Sequence, residues 1–163
     1  MPEETLHEIM CLYAFEFSRS QNEFSEFYSR FLRFMGENEQ ILQQSLSLNG
    51  IANASIAYAS LGLTNDDYAS FWDSVRTGAE SSLLHDREPL ESSKPIEMIL
   101  GALTLVDGQE MVDEKQSEER RETNSKLVKA ILSRSEELLA LPYTTTSLFF
   151  ACLTRFFVQM DEG

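Results

Sequence analysis

Apolar residues recur along most of this chain at intervals of three and four, the spacing that gathers them on one face of an α-helix. Leu6, Ile9, Met10, Tyr13 and Phe17 form such a stripe, and Pro2 with Glu3 and Glu4 suits the first turn of a helix over Glu3–Ser18. Ser20-Gln21-Asn22-Glu23 matches a capping box. The stripe that follows it, Phe24, Phe27, Tyr28, Phe31, Phe34 and Met35, closes at Gly36. A shorter helix over Glu37–Leu48 carries Ile41, Leu42, Leu46 and Leu48, and Asn49-Gly50 is expected to stop it. Ile51–Leu61 is rich in Ala and Ser, whose small side chains let another backbone come close. A buried, tightly crossed position is expected for it.

Gly62 closes that helix, and Thr64 with Asp67 predicts a cap for the next, with Leu63 packing on Tyr68. The helix is expected to run to about Gly78 with Tyr68, Phe71, Trp72 and Val75 inward, and Glu80–Lys94 then reads as a loop pinned by Leu83, Leu84 and Leu90. Pro95 opens a helix to Leu105 bearing Ile96, Ile99, Leu100 and Leu103, and Asp107-Gly108 breaks it. Residues 113–126 hold no apolar side chain; they read either as a solvated helical extension or as a charged, disordered insert. Lys115 with Glu119, Glu118 with Arg121 and Glu122 with Lys126 favour helix, whereas Glu114 with Glu118 opposes it. The stripe resumes with Leu127, Val128, Ile131, Leu132, Leu138 and Leu139 and ends at Pro142.

The last segment, Ser147–Met160, is apolar over most of its circumference: Leu148, Phe149, Cys152, Leu153, Phe156, Phe157 and Met160, with Phe150 at the edge. Such a helix needs neighbours all round it. The pattern therefore predicts an all-α fold: one domain over residues 1–163, a bundle of about seven helices with the carboxy-terminal helix central and antiparallel neighbours joined by short corners. There is no repeat, no alternating strand pattern and no linker.

Charge changes this picture most. The chain carries 27 acidic against 13 basic residues, a net charge of −14. A field of that sign repels phosphate backbones and anionic membrane surfaces. Direct nucleic-acid or membrane binding is not expected, and another protein, of basic character, is the natural partner; self-association is the other option. Cys11 and Cys152 are expected to be buried free thiols. No basic-then-apolar leader opens the chain, and its longest apolar run is shorter than the roughly 20 residues that span a bilayer. A cytoplasmic protein is expected.

Candidate chemistry is sparse. His7 and Cys11 share a helix side at a spacing met often by chance. Asp66, Asp67 and Asp73 lack the alternating ligands of a calcium loop, and capping accounts for Asp67. No metal site is expected. His85 is a candidate ligand for a haem-like cofactor, and a solvated loop histidine is the plainer account; no cofactor is expected. The charged run offers a docking segment, with Asp113, Glu114, Glu118, Glu119, Arg120 and Arg121 as partner-binding candidates. The expected function is a non-enzymatic interaction module (adaptor, regulator or dedicated chaperone). The alternatives are a helical binder of a small apolar ligand or cofactor, and an acidic decoy for a nucleic-acid-binding protein.

Overall fold

The computed structural model describes residues 47–60, 62–64, 66–86, 88–108, 114–142 and 149–157. Among these the protein is all-α, with six helices and no strand. They are α1 (Leu48–Ser60), α2 (Ala69–His85) behind a 3-10 turn at Asp66–Tyr68, α3 (Lys94–Asp107), α4 (Glu114–Ser133), α5 (Ser135–Leu139) and α6 (residues 149–157). The helices expected over Glu3–Ser18 and Phe24–Met35 lie outside the described residues, as does nearly all of Glu37–Leu48. No helix among the described residues is long and apolar enough to cross a membrane.

α1 is the enclosed helix here. Ala52, Ala54 and Ala57 are 1–2% exposed and Ser55 is fully buried. The Ser55 hydroxyl donates to the Ile51 carbonyl at 2.7 Å, which removes the cost of burying it. Small side chains let α1 lie against both α3 and α2. Asn49-Gly50 does not end a helix as its turn propensity suggested. It sits inside the first turn of α1, because Ser47 caps that turn: its hydroxyl accepts from the Gly50 amide at 3.2 Å. The far end closes as expected. Gly62 sits at φ +72, its amide donates to the Ala59 carbonyl, and the Leu63 amide reaches back to Tyr58. Those two bonds are a Schellman closure.

Leu63 is buried, and its carbonyl accepts the indole N–H of fully buried Trp72 at 2.9 Å. Phe71 stacks on Tyr58 with ring centroids 3.4 Å apart. These contacts, with Val75, seat α2 antiparallel to α1. α2 passes through Gly78 instead of ending there and runs to His85, so the first part of the expected Glu80–Lys94 loop is helical. The reason is packing: a Cβ on Gly78 would stand 3.2 Å from the Ile51 side chain, so the glycine marks a close crossing. Beyond it Leu83 is buried, while Leu84 is half exposed.

α3 begins with Pro95 in its first turn and buries Ile96, Ile99, Leu100 and Leu103, as its stripe requires. It lies beside α1, their starts facing one groove, and α2 lies beside α4. Residues 114–126 take the helical alternative as the first part of α4. α2 and α4 run in the same direction: Arg76 meets Asn124, and Arg134 meets the Asp86 carbonyl, 48 positions apart in both cases. From α1 to α4 consecutive helices are thus antiparallel, but the closest packing is between the parallel, non-consecutive pairs α1 with α3 and α2 with α4. α6 buries Phe149, Leu153 and Phe156 along one face; Phe150 and Phe157 are 43% and 39% exposed.

Gly101 lies on the exposed side of α3, and a Cβ there meets nothing within 4 Å. Gly101→Ala is expected to stabilise the fold by about 0.5–1 kcal/mol, the difference in helix propensity, read as a rise in the thermal midpoint.

Candidate functional site

The stripe that places Trp72 inward on α2 also places Arg76 inward, one turn on. Arg76 is 1% exposed. Its Nε donates to Asn124 Oδ1 at 2.8 Å, one terminal nitrogen to Asp73 Oδ1 at 3.1 Å, and the other to Asp107 Oδ1 at 2.5 Å. Asn124 Nδ2 donates in turn to Asp107 Oδ2 at 2.8 Å. Arg120 Nε stands 3.5 Å from the same Asp107 carboxylate. Asp107 closes α3, and Asn124 and Arg120 belong to α4, so one buried guanidinium ties three helices together. Burial in this company pulls the Arg120 pKa down; Asp107 opposes that and Arg76 reinforces it.

A cleft of about 290 Å³ opens beside this cluster between α2 and α4. Half-buried Ala69, backed by buried Trp72 and Val106, forms its apolar side, and the exposed carboxylates Asp66, Asp73 and Glu119 line it. Counting Asp107 behind them, four carboxylates meet the two guanidiniums of Arg76 and Arg120. The cleft is therefore suited to a cation with an aliphatic stem. As chemistry the cluster is a clamp: Asp107 already accepts from Arg76 and Asn124 and stands in ion-pair range of Arg120.

A second ion pair organises the other end of α2. Arg134 donates through two nitrogens to Glu137 at 2.8 Å each, and also to the backbone carbonyls of Asp86 and Glu88. Glu137 accepts the Leu90 amide at 3.0 Å. The segment after α2 is thus held by this pair as well as by the half-buried Leu90. It borders a groove of about 510 Å³ that also takes in the starts of α1 and α3. The Arg134 hydrogen bond, then the Leu90 amide, hold the Glu137 carboxyl below its usual range.

The charged run divides. Glu114, Glu118, Glu119 and Arg121 are exposed along the outer turns of α4, whereas Arg120 turns inward; Asp113 lies outside the described residues. His85 is the exposed last residue of α2. Asp73 binds Arg76, and among the described residues no group of three His, Cys, Asp or Glu side chains is placed to hold a metal. Cys152 is a half-buried free thiol whose pKa is raised, first by burial and then by Glu97; the His7–Cys11 pair lies outside the described residues. Arg76, Asp107, Asn124, Arg134 and Glu137 were not singled out by sequence. A signal existed for two of them: Arg76 falls four after Trp72, and Asn124 falls three before Leu127, each extending an apolar stripe. No protein family, no curated protein and no solved structure matches the chain.

Asp107→Ala leaves the buried Arg76 guanidinium only the exposed Asp73 carboxylate as counter-charge and is expected to cost about 3 kcal/mol in urea unfolding, the low end of the penalty for breaking a buried pair. Glu137 titrates lower in the folded than in the unfolded chain. Its contribution is therefore present above the ordinary glutamate range and lost as pH falls through the lowered value. Glu137→Gln should flatten that acid limb of the stability–pH curve without moving its neutral plateau's slope.

Proposed function

We propose that this protein is a non-enzymatic interaction module, an adaptor, regulator or dedicated chaperone, whose acidic surface engages a basic protein. The observation that carries the reading is the cleft between α2 and α4. Its apolar side, Ala69 backed by Trp72 and Val106, suits the stem of a lysine or arginine, and Asp66, Asp73 and Glu119 suit the charged head. The net charge of −14 would steer such a partner from a distance and make association fall with salt. Exposed apolar side chains elsewhere, Phe150 and Phe157 on α6 and Leu105 on α3, add surface that a partner or a second copy could cover. A central place for residues 147–160 in a bundle of about seven helices belongs with this proposal and requires cover over that α6 face. So does a cytoplasmic setting.

Trp72 is the single tryptophan and borders the cleft, so its emission reports occupancy. Titrating a lysine-rich peptide into the full chain should give a saturable change. Asp66→Asn with Glu119→Gln should weaken binding at least about tenfold, equivalent to 1.4 kcal/mol. Glu91→Gln with Glu136→Gln removes the same charge elsewhere and should have a much smaller effect. Equal weakening by the two pairs would reduce the effect to bulk charge and remove the cleft from the reading.

A further inference from the structure

Two guanidiniums of this chain converge on one carboxylate oxygen. Arg76 donates to Asp107 Oδ1 at 2.5 Å, and Arg120 Nε stands 3.5 Å from the same atom. The second distance is too long for a hydrogen bond, so attraction between charges holds Arg120 there. The rest of the cluster is complete without it. Asp107 accepts from Arg76 on one oxygen and from Asn124 on the other, and Arg76 has Asn124, Asp73 and Asp107. Arg120 is therefore the spare cation of the cluster, and it lines the cleft together with Asp66, Asp73 and Glu119. Burial pulls its pKa down and the Arg76 charge adds to that, while Asp107, Asp73 and Asp66 oppose both. The chain thus seats a cation of its own among the carboxylates that suit a partner's.

We propose that Arg120 is a built-in competitor for this cleft, an autoinhibitory side chain that a partner's lysine or arginine has to displace. The inference rests on the cleft being the partner's seat and adds how access to that seat is set. Displacement asks little of the fold. The Arg120 head leaves by rotation about its own side-chain bonds, with the α4 backbone in place. Arg76 and Asp107 keep each other, so no buried charge is stranded. Arg76 cannot play this part, being 1% exposed and bonded on three sides. Arg121 cannot either, because it is exposed and does not line the cleft. The result is a threshold: a lone cation gains little by changing places with Arg120, whereas a segment that makes further contacts does.

Titration of the lysine-rich peptide into full-length variants, read by Trp72 emission, tests this. Arg120→Gln should bind at least about fivefold tighter than wild type. Arg120→Met keeps the stem without the charge and should do the same, so the test stands if either variant folds. Arg121→Gln removes an equal charge one residue away and should stay within about twofold of wild type. Arg120→Lys keeps a tethered cation and should also stay within about twofold. Saturable binding with neither neutral Arg120 variant tighter than Arg121→Gln overturns the inference and leaves the cleft as the partner's seat. Arg120→Lys binding as tightly as Arg120→Gln overturns it as well. No saturable binding by wild type or by either neutral variant removes the seat and the competitor together.

Discussion

The contact between the Arg76 guanidinium and the Asp107 carboxylate is the constraint on which the other contacts depend. Arg76 cannot be left without partners at 1% exposure, so α3 must end where Asp107 reaches it and α4 must arrive where Asn124 does. Apolar packing alone specifies the position of α4 loosely, because its buried stripe is short. Hydrogen bonds are directional, and the Asn124 amide can serve Arg76 and Asp107 together only at one register. The Arg134 contact with the carbonyls of Asp86 and Glu88 repeats the same offset at the other end. Two polar fixings thus set the alignment of a parallel helix pair whose greasy contacts occupy only part of its length.

The same arrangement bears on the surface. The chain has 13 basic residues, and at least Arg76, Arg120 and Arg134 are committed to carboxylates of the chain itself. The cations remaining to offset the acids outside are correspondingly fewer. An excess of like charge strains a compact fold by self-repulsion while it keeps copies apart and attracts the opposite sign. These paired arginines therefore contribute twice: they fix helices, and they leave fewer free cations among the exterior acids than composition alone implies.

Helix existence and class were legible because the periodicity of three and four is strong. Ile96, Ile99, Leu100 and Leu103 went inward as a stripe must, and the small residues of α1 marked the enclosed position. Boundaries are less legible, because glycine is not always a stop. Gly50 and Gly78 lie inside helices because a cap at Ser47 and a close crossing at Ile51 outweigh their low propensity. The site was hidden for a different reason. Arg76, Asp107 and Asn124 lie far apart in the chain, each has an ordinary local explanation, and only the tertiary arrangement makes them one cluster. Arg120 shows the limit well: in a run of charges nothing local distinguishes the one side chain that turns inward.

The meeting of Gly78 with Ile51 has a consequence for how this chain can change over time. The gap between α1 and α2 is filled by one side chain at that level, contributed by position 51. A bulkier residue at 78 fits only where 51 becomes smaller, so the two positions are free to drift together but not singly. Divergent descendants of this sequence should show their sizes exchanged across that crossing, a paired record of the distance between two helix axes.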